Sequence, residues 1–303
     1  MEQETLMNII VTGATGLVGS KLVPLLKQDG HEVVTLTRRT PRNASERQWD
    51  PAAKLPPGTL DGIEAIIHLA GENIGDGRWT AAKKQRIRDS RVIGTRLLAE
   101  AAAARGGTVK TFVCASAIGF YGNRGNELLT EDSPVGSGFL AEVCRDWEAA
   151  TEPARIAGVR VVNVRSGVVL SSSGGALAKM LLPFKMCVGG VVGAGTQYMS
   201  WLTVDEAARI YRFAVQNTDL HGPVNAVAPQ VVTNAEFTKA LGRVLHRPTV
   251  LPLPAFAARL AFGEMADELL LGSTRVIPTR LKAVGYQFLH PEIETALAAA
   301  IRS

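Results

Sequence analysis

The eight residues Thr12-Gly13-Ala14-Thr15-Gly16-Leu17-Val18-Gly19 carry the clearest chemical signal in the chain. They follow a short apolar run, Asn8 to Val11, and open a helical pattern. Gly13 permits a tight turn, Gly16 lets a pyrophosphate approach the backbone, and Gly19 lets helix and strand pack closely. The helix N-terminus, Thr15 to Val18, then offers free amides and positive potential to phosphate. About twenty residues on, an NAD site requires Asp or Glu to hold the ribose hydroxyls. This chain has Thr37, Arg38 and Arg39 there. A carboxylate repels a 2′-phosphate, whereas a guanidinium pairs with it, a contact of about 1.5–3 kcal/mol. The pattern predicts NADP(H) over NAD(H), with Arg38 the nearer contact. The alternative is a pair of exposed arginines.

Proton transfer would need titratable groups near that turn. Tyr121 lies on a Gly-flanked loop after a predicted strand and either reaches substrate or caps the core. Ser116, in the run CASAIGFYG, is a second candidate. Glu72 and Asn73 fall just past a strand ending at Ala70-Gly71, at the carboxyl edge where ligands bind in such sheets. Glu72 reads as a base, a ribose contact or an ion-pair partner of Arg91. Glu142 and Arg145 read as an internal pair on one helix. Lys179, after a Ser-Gly-rich turn, is a candidate contact for an anionic substrate. Cys144 and Cys187 read as small core residues, Trp201 as packing, and His68 and His290 as isolated structural histidines. No Cys/His cluster has metal-site spacing, so no metal is expected.

The elements that must position these groups alternate. Strands are predicted at Asn8–Val11, His31–Thr37, Glu64–Leu69, Thr111–Ala115 and Val159–Val164, and helices at Leu17–Asp29, Trp79–Ala104 and Phe139–Ala157. That alternation implies an α/β fold, a doubly wound parallel sheet covered on both faces. After Leu170 the pattern changes. Helices are predicted at Asp205–Gln216, from a capping box at Thr233-Asn-Ala-Glu236 to about His246, at Leu253–Leu271 and at Pro291–Arg302. Residues 7–170 are therefore expected to form a Rossmann domain. Residues 171–303 form a smaller helix-rich lobe, which can return a strand near 224–227 to the sheet.

The bulk numbers limit the alternatives. The chain has 303 residues, 46% of them hydrophobic and 20% charged, with a net charge of +5. Such a composition describes a globular protein with a large core. The densest basic run, Lys83, Lys84, Arg86, Arg88 and Arg91, lies on one predicted helix without aromatic-rich basic strands, which argues against nucleic acid. Three separated cysteines argue for a reducing compartment. No apolar run approaches a membrane span, and MEQETLMNII lacks the form of a signal peptide. The expectation is a cytoplasmic protein with a small-molecule substrate. Its oligomeric state is open.

The chain resembles the extended short-chain dehydrogenase/reductase superfamily. More narrowly it resembles its atypical "epimerase family" proteins, which join a sugar-epimerase-like Rossmann domain to a C-terminal domain of unknown function. The resemblance covers nearly the whole chain, through TGATGLVG, HLAGENI, SRVIGTRLL, SASAIGFYG, FLAEVCRDWEAA, VRSGVVLSSSGGAL, SWLTVDEAAR, GPVNAVAP and GYQFLHPEIETAL. It implies NADP(H), with Thr37 and Arg38 at the adenosine phosphate, Leu69 and Ala70 beside the coenzyme, Arg91 near it, and Val169 towards the nicotinamide; Gly71 and Ser116 are further candidate coenzyme contacts by their places in the chain.

It also exposes a departure. Active members place tyrosine and lysine four residues apart on one helical face; here those places read Phe139 and Val143. None of the four tyrosines has lysine four residues later, and Ala117 stands at the usual hydroxyl position. General acid catalysis typically contributes about 10²–10⁴-fold. The expected function is an NADP(H)-dependent oxidoreductase or epimerase-like enzyme with an altered acid; the alternative is a non-catalytic NADP(H) sensor acting through a protein partner. A filled apolar pocket at Phe139 favours the sensor. An open one predicts that Phe139→Tyr with Val143→Lys raises turnover.

Overall fold

A computed structural model describes residues 6–302. Seven strands form the central sheet: β1 (Asn8–Thr12), β2 (Glu32–Thr37), β3 (Glu46–Gln48), β4 (Ala65–His68), β5 (Thr111–Ala117), β6 (Arg160–Ser166) and β7 (Gly222–Ala226). All pairings are parallel, and the order is β7-β6-β5-β4-β1-β2-β3. The order reverses between β1 and β4, where doubly wound sheets open a crevice at the carboxyl ends of their strands.

The helices are α1 (Gly19–Gln28), α2 (Ala81–Ala103), α3 (Phe139–Ala149), α4 (Glu152–Ile156), α5 (Gly175–Lys185), α6 (Val204–Gln216), α7 (Asn234–Leu245) and α8 (Ala255–Phe262), with a last helix at Ile293–Arg302. Alternate strand residues face opposite ways, so the sheet feeds two cores. Ile9, Val11, Ile67, Val113 and Val162 pack with Leu22 and Leu26 of α1 and with Ala207, Ile210 and Tyr211 of α6. Ile10, Ile66, Phe112 and Val161 pack with Leu98 of α2 and Trp147 of α3. A third core, with Leu177, Trp201, Phe237 and Leu297, holds the lobe together.

Three details differ from the sequence reading. The helix expected over 139–157 breaks at Ala150-Thr151 into α3 and α4, just before Pro153, which supplies no amide to a continuing helix. The stretch expected as one helix over 253–271 is instead α8 followed by shorter turns around Gly263 (φ +63°). The strand expected near 224–227 does join the sheet, as β7 beside β6. Because α6 and β7 complete the sheet's packing, the Rossmann core draws on residues beyond 170.

Candidate functional site

The Gly13–Gly19 turn connects β1 to α1. Gly13 has φ +67°, and a Cβ there would stand 2.9 Å from the Ala70 amide nitrogen. A Cβ on Gly19 would meet the Gly13 carbonyl oxygen at 2.3 Å. Any side chain at either place would force the turn open. The Gly16 amide closes the turn on the Gly13 carbonyl at 2.9 Å. Val18, the residue before α1, makes no side-chain cap, and the first turn holds no acidic residue. An uncapped, acid-free helix start behind a glycine cradle fits the pyrophosphate of a dinucleotide.

A buried knot ties this turn to β4. Thr12 Oγ1 lies 2.6 Å from His68 Nδ1 and accepts the amides of Leu69 (3.1 Å) and Ala70 (3.2 Å). Leu69 and Ala70 are thereby fixed under the turn, beside Gly71. Burial and the nearby Arg91 lower the His68 pKa to about 3, so the ring stays neutral. Unfolding lets it take up a proton below about 6.5. Stability contributed by His68 is therefore complete above about pH 6.5 and declines as pH falls from there towards 3. A His68→Gln variant should show a flatter decline of urea midpoint between pH 6.5 and 4; an unchanged slope would reject this assignment.

At the end of β2, Arg38 is exposed, and its guanidinium has no partner among the described residues. Thr37 Oγ1 accepts the Arg39 amide at 3.3 Å. Arg39 itself is engaged by Glu46. Arg91 lies against Gly71, where a Cβ would stand 3.3 Å from its guanidinium carbon. It donates to the carbonyls of Glu72 (3.0 Å) and Ile87 (3.1 Å) and stacks over Trp147. Val169 sits in the short strand Val168–Leu170, which pairs with Trp201–Thr203.

A ring of contacts surrounds the space above the turn. Gly13 abuts Leu69 and Ala70 on one side. On the other, Leu17 lies against Gly174 and Gly175 at the start of α5. Lys179 of α5 closes the ring by donating to the Gly75 carbonyl and pairing with Asp76 at 2.9 Å. The 72–79 loop is anchored at its far end by Arg78, which donates to the Leu260 carbonyl of α8, and by the Trp79 indole, which donates to the Ile74 carbonyl at 2.8 Å.

The candidate proton-transfer residues do not converge on this space. Tyr121 is fully buried. Its hydroxyl donates to Asn225 Oδ1 (2.7 Å) and accepts from Arg165 Nη1 (2.9 Å), so it caps the core rather than reaching substrate. Ser116 is buried and donates to Glu148 Oε1 at 2.6 Å. Glu72 pairs with Lys83 at 2.8 Å, and its side chain does not meet Arg91, which takes its carbonyl instead. The Lys83 hydrogen bond holds the Glu72 carboxyl below the usual range, which weakens it as a base. Arg145 pairs with Asp146 rather than Glu142. Burial pushes the Cys144 thiol up to about 12, consistent with a core residue.

At the catalytic-helix positions, Val143 is 1% exposed among Trp79, Ile87, Leu140 and Met265. The Phe139 ring packs edge-on against Trp79 with centroids 5.3 Å apart. Glu268 of the lobe caps α3 by accepting the Phe139 amide at 2.9 Å. The basic run on α2 is likewise engaged: Lys83 with Glu72, Lys84 with Glu264, Arg88 with Asp146. No group of metal-ligating side chains forms among the described residues, and none of their helices is long and apolar enough to cross a membrane.

Sequence reasoning missed the buried network of Glu131, Glu148, Arg165 and Asn225. Its one visible signal was a charge, Arg165, in the apolar run VVNVRSGVVL.

Fold and turn together define a Rossmann-type dinucleotide-binding protein with an appended lobe. The chain belongs to the NAD dependent epimerase/dehydratase family, whose description matches residues 9–227; a domain of unknown function (DUF1731) matches residues 253–300. An epimerase family protein of Mycobacterium leprae is 43% identical over 96% of this chain and 95% of its own length. A structure of human epimerase family protein SDR39U1 (isoform 2) with NADPH superposes with a TM-score of 0.88 at 35% identity, over 98% of this chain and 99% of that one. A Corynebacterium glutamicum structure described as a nucleoside-diphosphate sugar epimerase gives 0.81 at 39% identity. It covers 98% of this chain, which spans 59% of that longer one.

Proposed function

We propose that this chain binds NADP(H) over the Gly13–Gly19 turn and signals coenzyme occupancy to a protein partner without turning over a carbonyl substrate. In this reading the amides of Thr15, Leu17 and Val18 hold the pyrophosphate, which approaches the backbone at Gly13 and Gly16. Thr37 and Arg38 hold the adenosine phosphate. Leu69, Ala70, Gly71 and Arg91 flank the coenzyme, and Val169 lies towards the nicotinamide. The bound NADPH of the human relative supports the choice of coenzyme. When bound, the nicotinamide supplies a hydride donor or acceptor.

The observation that carries the non-catalytic reading is the packing at Phe139 and Val143. Val143 is buried among Trp79, Ile87, Leu140 and Met265, and the half-buried Phe139 ring lies edge-on against Trp79, so apolar side chains stand where an acid and its lysine would. An oxidoreductase needs another acid, and Tyr121, Ser116 and Glu72 are each committed elsewhere. A route for the signal exists in the 72–79 loop, which the Lys179–Asp76 pair ties to α5 and Arg78 ties to α8. Exposed ion pairs of this kind hold weakly, so coenzyme beneath the loop can shift it.

The test has two arms on the same protein. NADPH is titrated by fluorescence, and its absorbance is followed with aldehydes, ketones and a nucleoside-diphosphate sugar. Hydrogen exchange is measured over 72–79 and 255–262 with and without NADPH. The reading expects binding, no oxidation, and slowed exchange in both segments. Steady turnover, or exchange indifferent to NADPH, would overturn it.

A further inference from the structure

The residue after Arg38 is engaged in a way that bears on coenzyme choice. Arg39 donates to both oxygens of Glu46, at 2.8 and 2.7 Å. Glu46 Oε2 also accepts the Arg42 amide at 2.8 Å. Gln48 holds the Arg38 carbonyl from β3 at 3.2 Å. Glu46 lies in register with Thr35, two residues before the end of β2. From Val33 to Ser45 the sequence has no acidic residue, so Glu46 is the first carboxylate after β2 begins to leave the core. The hydrogen bonds from Arg39, then that from the Arg42 amide, hold its carboxyl below the usual range, so it is ionised at neutral pH.

A carboxylate near this strand end is the group that favours a free ribose hydroxyl and repels a phosphate on it. Here that group is cancelled by a bidentate guanidinium. We propose that Arg39 sets coenzyme selectivity without touching the coenzyme: it masks Glu46 and pins the 38–46 loop, leaving Arg38 to meet the adenosine phosphate. Arg39 and Glu46 are positioning residues in this scheme. The proposal rests on the reading of Arg38 given above. Without Arg39, the loop loses one positive charge, and the negative charge already on Glu46 is left unmasked.

The test is a set of three variants read as the ratio of NADH to NADPH dissociation constants. A ratio measured on one preparation is insensitive to the folded fraction, so a partly unstable variant still reports. Arg38→Ala should lower the ratio tenfold to a hundredfold, corresponding to about 1.5–3 kcal/mol; no change there overturns the Arg38 reading itself. Arg39→Ala should lower the ratio about tenfold. Arg39→Ala with Glu46→Ala should recover at least half of that loss on a logarithmic scale, because the carboxylate has gone too. A double variant as poor as Arg39→Ala alone would mean that Arg39 meets the phosphate directly, and would overturn the proposal while sparing the Arg38 reading. An unchanged ratio in Arg39→Ala would overturn it as well.

Discussion

The Phe139→Tyr/Val143→Lys variant is expected to lose roughly 4 kcal/mol of stability or more and to gain no carbonyl reduction. Sequence spacing alone suggests the opposite, since it restores the usual acid and its partner. The structure reverses the expectation because Val143 is buried in an apolar cluster closed by Trp79 and by Met265 of the lobe. An ammonium placed there loses hydration without gaining a carboxylate, and buried lysines shift by about 3–5 pKa units, each worth about 1.36 kcal/mol. The folded state would then hold this lysine neutral, while the unfolded chain binds a proton up to about pH 10.4. The penalty should therefore be largest at neutral pH and shrink as pH rises towards 10. Urea denaturation at pH 7 and pH 9.5, with NADPH absorbance against a carbonyl panel, checks both parts. A stable variant that oxidises NADPH would reveal an open site and restore the oxidoreductase reading.

The glycine turn was legible in the sequence because local rules write it. A glycine turn between strand and helix needs glycines at fixed offsets, and the structure has them where Cβ atoms would collide. The exposed place of Arg38 was legible for a similar reason: it follows β2 directly, and strand ends are set by local pattern. The partner of Arg39 was not legible, because Glu46 is brought beside it by a third strand only three residues long. The partners of the catalytic candidates were hidden by distance in sequence. Tyr121 is fixed by Asn225 and Arg165, 104 and 44 residues away. Trp79 and Met265 pack with Val143 from two parts of the chain whose meeting no periodicity announces. The strand ending near Val164 was cut short for a physical reason as well. A charge normally ends an apolar run, but Arg165 continues β6 because Glu148 waits above it.

Arg165→Met is expected to cost about 3–5 kcal/mol, although methionine nearly matches the arginine stem in volume. Ser116, Arg165 and Asn225 are in register on β5, β6 and β7, so their side chains share one face of the sheet. Glu148 descends from α3 and takes two hydrogen bonds from Arg165, both 2.8 Å. The guanidinium also donates to Tyr121 and to the Glu131 carbonyl, and lies 3.5 Å from the centre of the Phe120 ring. Removing it leaves Glu148 as an uncompensated, largely buried carboxylate and strips Tyr121 of a donor. Most of the expected loss is that desolvation, not the intrinsic strength of the pair. Arg165→Met with Glu148→Leu should therefore be more stable than Arg165→Met alone by at least about 1 kcal/mol, even though Ser116 loses its acceptor. Urea midpoints of the two variants decide it. A double variant no better than the single would mean that the network is held by its neutral members, and a single variant within about 1 kcal/mol of wild type would mean that water reaches Glu148. The expected order would make Ser116 and Tyr121 parts of the scaffold that seats α3 on the sheet, which is why neither is free to handle a substrate proton.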